Sequence, residues 1–502
     1  MVSSPSQLSR RTGAVCATAA LALTLLAALA LDAPATGAKP EALETAAGQR
    51  VSAERLQAAA ELVRRDVEDI RRLLTSDPTT RVLANGRIAY ADFEHSSATA
   101  RAAEREAEHA AERQAAATRT GTSTSTPPAA GRIAARTPIA LSSRPSSPRT
   151  LYLDFDGERV CDTEWNDSGL ACGTYAGYDT DGSPSFSAGE QRAVRQVWER
   201  VAEDYAPFNI NVTTVVPRAS DLSRTSTSDQ RYGVHAVVTS SDEARNATCG
   251  GPGCAGVALL GVFPRTDANH ARVLWAFTNE VDDSPRLLAD VLSHEAGHTL
   301  GLEHQGTAGG LLGIGAEEYY AGHGIWAPIM GSSLRHLTQW SASEYANPSR
   351  VQDDVAVIAQ HGAPAIRDDH PAGPRGADRV RRARTTGGVI GTRTDRDVFK
   401  LVTTCRAPVR ATLKPAASGP NLDAALTLRK AGRSARVTSN PPSPTSGTAS
   451  GLSASISGTR GKGTWYLSVD GVGAGAPATT GYSDYGSLGR YTLRVTGRCV
   501  KR

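Results

Sequence analysis

The stretch HEAGHTLGLEH, residues 294–304, decides how the fold and the chemistry of this chain are interpreted. It lies at the end of a predicted helix that runs from about residue 285 to residue 302. Residues four positions apart share one face of a helix, so His294 and His298 can direct their imidazoles to one point. Glu295 projects beside them, close enough to accept a proton from water at a metal.

The second half of the stretch supplies a third ligand. Gly301 permits the left-handed conformation that ends a helix sharply, so that His304 can return toward the first two histidines. Three protein ligands leave one coordination position open, which is typical of catalytic rather than structural zinc sites. The sequence therefore predicts one catalytic Zn²⁺ ion held by His294, His298 and His304, with Glu295 as the general base. The alternative is a metal site without activity.

Alternating strand and helix patterns precede the predicted zinc helix. Ser187 and Glu190 form a predicted capping box at the start of an earlier helix with one apolar face. Such alternation indicates an α/β (α+β) domain with a mixed sheet, which we place at residues 149–362. The predicted strands cover residues 150–155, 210–216, 234–239, 255–263 and 272–278.

These residues resemble the extended zinc signature of the metzincin metallopeptidases, which also have a Met-containing turn beneath the metal. The stretch PIMG, residues 328–331, resembles that turn, and Met330 is the only methionine besides the initiator. The match is closest to reprolysin-like bacterial metallopeptidases, and pappalysins are similar around the zinc helix. It implies a catalytic domain with a mixed five-stranded sheet and a zinc helix, which cleaves extended protein or peptide substrates along its edge strand, residues 256–262.

The chain departs from the metzincin pattern after the third histidine. Gln305 replaces the acidic or serine residue of several families, and Ser332 stands where astacins have a tyrosine, so no tyrosine ligand to the metal is expected. His323, with Tyr319 and Tyr320 nearby, is a candidate for transition-state stabilisation or for lining the substrate pocket. An ordinary loop histidine is the alternative interpretation.

Two acidic features carry further predictions. Asp290 lies one turn before His294 and can orient a ligand, although a solvated helix carboxylate fits the sequence equally well. The stretch Asp179-x-Asp181-Gly182 resembles the opening of a Ca²⁺ loop, but the distal Glu of such a loop is missing. A plain turn without Ca²⁺ is therefore the preferred interpretation.

The N-terminus has the pattern of an export signal, residues 1–38. Arg10 and Arg11 precede an apolar run over residues 14–31, followed by small residues suited to cleavage. The mature protein is therefore predicted to be secreted and extracellular, with a retained membrane anchor as the alternative.

A helical pro-segment is predicted at residues 39–117 and a low-complexity linker at residues 118–148. Within the pro-segment, one helix is expected at residues 41–75 and a hairpin with an Asn-Gly turn at residues 81–93.

The pro-segment is predicted to keep a protease latent until it is cleaved. No cysteine lies between residues 38 and 160, which excludes latency through a cysteine ligand. Asp92 or Glu94 can cover the zinc instead, but the sequence favours an ordinary surface carboxylate.

Six cysteines remain outside the export signal, and an even number in an exported chain suggests disulfides. Fifteen pairings of six cysteines are open from sequence alone. Their spacing favours three near pairs, namely Cys161 with Cys172, Cys249 with Cys254, and Cys405 with Cys499.

A linker is predicted at residues 363–386 and a small β-sandwich at residues 387–502, which are rich in Gly, Ser and Thr with short alternating stretches. The stretches DRDVF, residues 395–399, and GYSDYG, residues 481–486, resemble the bacterial pre-peptidase C-terminal domain. An inert stabilising module is the alternative interpretation.

The overall composition narrows the classes of function. The 502 residues have a net charge of +4 and no basic stripe, so nucleic-acid binding is not implied. Apart from the export signal, no stretch is apolar enough to span a membrane, and the oligomeric state cannot be inferred. Two functions remain: a secreted zinc endopeptidase, or a secreted matrix or surface-binding protein with a non-catalytic zinc domain.

Overall fold

The computed structural model describes residues 42–93, 137–183, 185–309, 316–332, 337–441 and 451–502. The export signal, Glu94 and most of the predicted linker at residues 118–148 lie outside the described residues. None of the helices within these ranges has the length and apolar character needed to cross a membrane.

The described N-terminal segment, residues 42–93, contains two helices and two short strand pairs. The single helix predicted there is wrong, because Arg64 adopts a left-handed conformation (φ 58°) and ends the first helix. The predicted hairpin is confirmed, with Gly86 in its turn at φ 91°. The elements are β1 (Leu43–Glu44), β2 (Arg50–Val51), α1 (Ala53–Val63), α2 (Val67–Ser76), β3 (Thr80–Val82) and β4 (Ile88–Phe93).

The central region has the predicted alternation of strands and helices. The predicted capping box is confirmed: the Ser187 hydroxyl accepts from the Glu190 amide, and the Glu190 carboxylate accepts from the Ser187 amide. The elements are β5 (Arg149–Asp154), β6 (Glu158–Val160), α3 (Glu164–Asp167), β7 (Gly173–Tyr175), α4 (Ala188–Asp204), β8 (Asn211–Thr213), α5 (Ala219–Leu222), β9 (Tyr232–Thr239), α6 (Asp242–Cys249), β10 (Cys254–Leu259), β11 (Val273–Phe277), α7 (Pro285–Thr299), β12 (Trp326–Pro328), β13 (Leu337–Gln339) and α8 (Asp354–Gln360).

One mixed sheet organises this region. Its order is β3-β4-β10-β11-β9-β5-β8, so the hairpin of the N-terminal segment extends the five central strands to seven. The strands from β11 to β8 run parallel, whereas β10 is antiparallel to β11 and β4 is antiparallel to β10. The five predicted central strands are confirmed, although β8 and β10 are shorter than expected. In this arrangement β4 covers the edge of β10.

The helices α4 and α7 pack on one face of the sheet and share its main core. Val197 and Val201 of α4 lie in this core with Leu288 and Leu292 of α7, and all four side chains are buried. The apolar spacing along both helices dictates this packing. The stretch HEAGHTLGLEH therefore begins near the buried end of α7.

The C-terminal region is a β-sandwich, as predicted, with sheet orders β14-β16-β21-β18-β19 and β15-β22-β17-β20. Side chains from both sheets form one core. Its strands are β14 (Asp378–Arg379), β15 (Thr385–Ile390), β16 (Arg396–Thr403), β17 (Ala407–Pro415), β18 (Ala424–Lys430), β19 (Arg436–Ser439), β20 (Ala454–Arg460), β21 (Gly463–Gly471) and β22 (Gly489–Thr496).

Buried polar contacts join the sandwich to the end of α4. Asp204 accepts a hydrogen bond from Asn421 at 2.7 Å, and Glu203 accepts one from the amide of Arg490 at 2.8 Å. Burial raises the pKa of Glu203 to about 8 and that of Asp204 to about 7.

The three favoured cysteine pairings are confirmed, as Cys161–Cys172, Cys249–Cys254 and Cys405–Cys499. Disulfides of this kind are typical of proteins outside the cytoplasm.

Candidate metal centre

Helix α7 carries the first half of the signature and stops where the second half begins. The Ser284 side chain caps its first turn, Pro285 occupies its first position, and the helix ends at Thr299. Gly301 has φ 90°, as predicted, and turns the chain so that His304 returns to the helix. A side chain at residue 301 would be strained in this conformation.

The three predicted ligands meet at one buried point. Nε2 of His298 lies 3.2 Å from Nε2 of His304. Oδ2 of Asp92 lies 3.2 Å from Nε2 of His294 and 3.1 Å from that of His298, and Oδ1 of Asp92 lies 3.0 Å from Nε2 of His304. One ligand atom from each of the four residues falls within 4.8 Å of all the others.

The outer nitrogen of each imidazole has a partner that fixes the ring. Nδ1 of His294 lies 2.8 Å from the carbonyl oxygen of Ile329, and Nδ1 of His298 lies 2.8 Å from that of Leu302. Carbonyl oxygens only accept hydrogen bonds, so Nδ1 is the donor in both rings, and Nε2 is the nitrogen that faces Asp92.

The donor set fits a tetrahedral zinc ion. Ligands about 2.0–2.1 Å from a tetrahedral centre are separated from one another by about 3.3–3.4 Å. The separations of 3.0–3.2 Å between the Asp92 oxygens and the imidazole nitrogens are close to that value. The residues present can therefore hold such an ion, although the identity of the metal stays a prediction.

Glu295 lies beside these ligands and is completely buried. Neither carboxyl oxygen has a hydrogen-bond partner among the described residues. Burial raises the pKa of Glu295 well above its usual value, and the nearby charge of Asp92 adds to the rise. A Cβ atom at Gly256, on β10, would overlap Oε1 of Glu295, so this strand position must be glycine for the carboxyl group to fit.

Met330 lies against α7 at Gly297. Its side chain is completely buried, and a Cβ atom at Gly297 would lie 2.7 Å from its sulfur. The glycine between the two helix histidines therefore lets this side chain approach the helix backbone closely.

The sequence-based preference for a surface carboxylate at Asp92 is wrong. Asp92 is only 7% exposed, and its carboxylate caps the three imidazoles. Burial alone would raise the pKa of Asp92, but His304, His298 and His294 hold it well below its usual range. The carboxylate is therefore charged where it faces the candidate metal ligands.

The pairing of β4 with β10 places Asp92 next to the three histidines. On β4 it lies opposite Gly256 of β10, and Tyr90 lies opposite Ala258. The Tyr90 ring stacks on the His298 ring, with centroids 4.0 Å apart and planes 5° apart. Alternation along the strand thus puts two successive inward side chains against the metal ligands.

A second carboxylate of the N-terminal segment supports the third histidine. Asp77 is fully buried and its Oδ2 lies 3.1 Å from Nδ1 of His304, while Oε1 of Glu318 lies 3.5 Å from the same nitrogen. Asp77 thus supplies the outer partner that carbonyl groups provide for the other two ligands. No motif in the sequence marks Asp77 as a partner of His304.

Ion pairs also fix the N-terminal segment. Arg65 pairs with Glu303, next to the last histidine of the signature. Arg87 donates a hydrogen bond to Glu164 at 2.8 Å, and both of these side chains are buried. Neither ion pair involves Asp92, so both hold the segment independently of that carboxylate.

Tyr319 faces the metal centre, whereas Tyr320 and His323 point elsewhere. The Tyr319 hydroxyl donates to Oδ1 of Asp92 at 2.9 Å, and its ring centroid lies 4.3 Å from that of His304. Tyr320 and His323 contact each other at 2.6 Å, and His323 also contacts the carbonyl oxygen of Gly481. Tyr319, and not Tyr320 or His323, is therefore the residue of this loop that contacts Asp92.

The two other acidic features have structural partners. Asp290 is buried, so a solvated carboxylate is wrong, and it pairs with Arg286 at 3.2 Å. Asp179 accepts backbone hydrogen bonds within its own turn, and its neighbour Glu190 serves the capping box of α4. One oxygen from each of Asp179, Asp181 and Glu190 also lies within 4.8 Å of the other two, so the choice between a plain turn and a Ca²⁺ site stays a prediction.

No protein-family model matches the chain, and no curated protein matches it. Solved structures give weak similarities. The pre-peptidase C-terminal domain of collagenase from Bacillus anthracis is 14% identical with a TM-score of 0.18, over 26% of this chain and 100% of that one. PliG from Aeromonas hydrophila, a periplasmic inhibitor of g-type lysozyme, is 13% identical with a TM-score of 0.17, over 24% of this chain and 96% of that one. Neither similarity establishes a family or a function.

Proposed function

We propose that this chain is a secreted zinc-dependent endopeptidase that hydrolyses peptide bonds of proteins. The convergence of His294, His298 and His304 on one buried point carries the proposal, together with the unpartnered carboxyl group of Glu295 beside them. Burying a carboxyl group without a partner costs free energy, and a purely structural metal site does not require such a group. The export signal and the three disulfides support secretion.

The three histidines and Glu295 have different roles in the proposed hydrolysis. A Zn²⁺ ion held by the three histidines would supply a Lewis acid for peptide hydrolysis. Glu295 accepts the proton of the attacking water and passes it to the nitrogen of the departing amine.

The substrate occupies the edge of β10 in extended form. This edge offers main-chain groups to an incoming strand, and β4 already shows that an antiparallel strand fits there. Pairing of this kind recognises the peptide backbone, so side-chain preferences come from the walls of the cleft.

The same geometry supports latency of the uncleaved chain. β4 covers the substrate edge, and Asp92 fills the position that a catalytic zinc site leaves open. We therefore interpret residues 42–93 as an inhibitory pro-segment that must leave before substrate can bind.

The test compares the purified full-length chain with the same chain cut by trypsin between residues 94 and 136, where the sequence has six arginines. Cleavage of denatured protein should appear only after the cut, disappear with a chelator and return with Zn²⁺. If the cut, zinc-loaded chain cleaves no member of a broad peptide library, the alternative of a matrix or surface-binding protein replaces this proposal.

A further inference from the structure

We infer that Tyr319 is a catalytic residue, whose hydroxyl donates a hydrogen bond to the scissile carbonyl oxygen as that oxygen becomes negatively charged. The inference rests on the proposed function and adds a residue to it. The loop that contains Tyr319 lies before the Met330 turn, and no motif in the sequence marks it.

The Asp92 carboxylate carries the argument because it resembles the reacting group. Peptide hydrolysis passes through a tetrahedral carbon with two oxygens, one from water and one from the carbonyl group. A carboxylate also presents two oxygens on one carbon. In the structure these oxygens lie against the Nε2 atoms of the three histidines, so Asp92 shows where such a pair of oxygens fits.

The two oxygens of the tetrahedral carbon need different partners, and we assign the Oδ1 position of Asp92 to the carbonyl-derived oxygen because Tyr319 donates there. The water-derived oxygen must lie at Glu295, which takes its proton. The carbonyl-derived oxygen carries the developing negative charge and needs a hydrogen-bond donor. Tyr319 supplies one, since its hydroxyl donates to Oδ1 of Asp92 at 2.9 Å, within the range required of a donor to an oxyanion.

Contacts outside the pro-segment hold Tyr319 in place. Its ring packs against that of His304, with centroids 4.3 Å apart. The next residue, Tyr320, donates its amide to the carbonyl oxygen of Gln305 at 2.8 Å and accepts from the amide of Ser332 at 3.0 Å. These contacts do not involve residues 42–93, so they support the ring and backbone of Tyr319 after the pro-segment leaves. The hydroxyl itself contacts Asp92 and Thr79 of the pro-segment.

The reaction step balances with Tyr319 as a donor that keeps its proton. A bond forms between the carbonyl carbon and the water oxygen, and the water proton moves to Glu295. The carbon–nitrogen bond then breaks, and the leaving nitrogen takes the proton from Glu295. The Tyr319 hydroxyl contributes a hydrogen bond that is strongest while the carbonyl oxygen is charged.

The experiment uses the full-length chain, cut by trypsin after folding, as wild type, Tyr319→Phe and Tyr320→Phe. Tyr320→Phe is the matched control because its hydroxyl contacts His323 and not Asp92. Loss of one oxyanion donor typically lowers kcat by about 10²–10³-fold. We expect Tyr319→Phe to lower kcat by about 10²-fold with KM within about threefold, and Tyr320→Phe to change neither substantially.

A second readout does not depend on turnover. A phosphinic peptide carries two oxygens on a tetrahedral phosphorus, so its affinity, measured by calorimetry, should fall by a similar factor in Tyr319→Phe at unchanged zinc content. The assignment of Tyr319 would be overturned if Tyr319→Phe showed unchanged kcat and unchanged phosphinic affinity, or a rise in KM alone. In that case an active wild type would still support the proposed function. If the wild type cuts no peptide, the proposed function fails and the assignment fails with it.

Discussion

Replacing the carboxylate that caps the three histidines should partly release the peptidase activity that we propose. Asp92→Asn keeps the shape of the side chain and the pairing of β4 but removes the negative charge that faces the three histidines. Hydrogen bonds to charged groups contribute about 1.5–3 kcal/mol each. Loss of one such contribution raises the open fraction about 10–100-fold, since about 1.4 kcal/mol corresponds to a factor of ten.

Two ion pairs that do not involve Asp92 limit the size of this effect. Arg65 still pairs with Glu303, and Arg87 still pairs with the buried Glu164. Asp92→Asn should therefore show weak activity in the uncut chain rather than the full activity of the cut chain.

The assay is the initial rate of fluorogenic peptide hydrolysis by full-length protein whose integrity is checked by mass spectrometry. Asp66→Asn is the matched control, because this exposed pro-segment aspartate makes no side-chain cap. A second measurement is the rate of zinc loss to a chelator, which should rise in Asp92→Asn alone. If Asp92→Asn is as inactive as the wild type and loses zinc no faster, the capping role of this carboxylate is refuted.

Three further predictions follow from the same structure. Asp77→Asn removes the charged partner of His304, so zinc affinity of the uncut chain should fall about 10–100-fold in a chelator competition; equal affinity would contradict this role. Gly256→Ala places a Cβ atom against Glu295, so kcat of the cut chain should fall at unchanged zinc content, whereas full activity would show that the carboxyl group is not confined there. Burial raises the pKa of Asp204 to about 7, so the folded chain holds this proton more tightly than the unfolded chain, whose carboxyl titrates near about 4. The contribution of Asp204 to stability is complete below about pH 4 and is lost as the pH rises toward 7. The melting temperature of Asp204→Asn should therefore change less with pH across this window than that of the wild type. An equal pH dependence in the two proteins would show that Asp204 does not contribute.

Local sequence was sufficient to predict that the three histidines lie together. It was insufficient to predict which other side chains contact them. His294, His298 and Glu295 lie on one helix turn, and Gly301 shapes the next few residues, so spacing alone predicts their positions. Asp92 reaches the same point only because β4 pairs with β10. Hydrophobic alternation indicates that a strand exists but not which edge it joins.

The break between α1 and α2 shows a similar limit. Arg64 adopts a left-handed conformation that sequence patterns associate with glycine or asparagine, so the apolar face appears continuous through it. Tertiary packing of the two helices, not a local signal, determines this turn. The five central strands were predicted because each has its own alternation. The seven-stranded sheet was not, because its last two strands come from the N-terminal segment.

The most direct test of the central claim is peptide hydrolysis by the cut chain as wild type and as Glu295→Gln, with zinc determined on the same samples. The account predicts one zinc ion in both proteins, chelator-sensitive cleavage by the wild type, and loss of about 10²–10⁴-fold in rate in Glu295→Gln. Undiminished cleavage by a zinc-loaded Glu295→Gln protein would contradict the assignment of Glu295 as the general base.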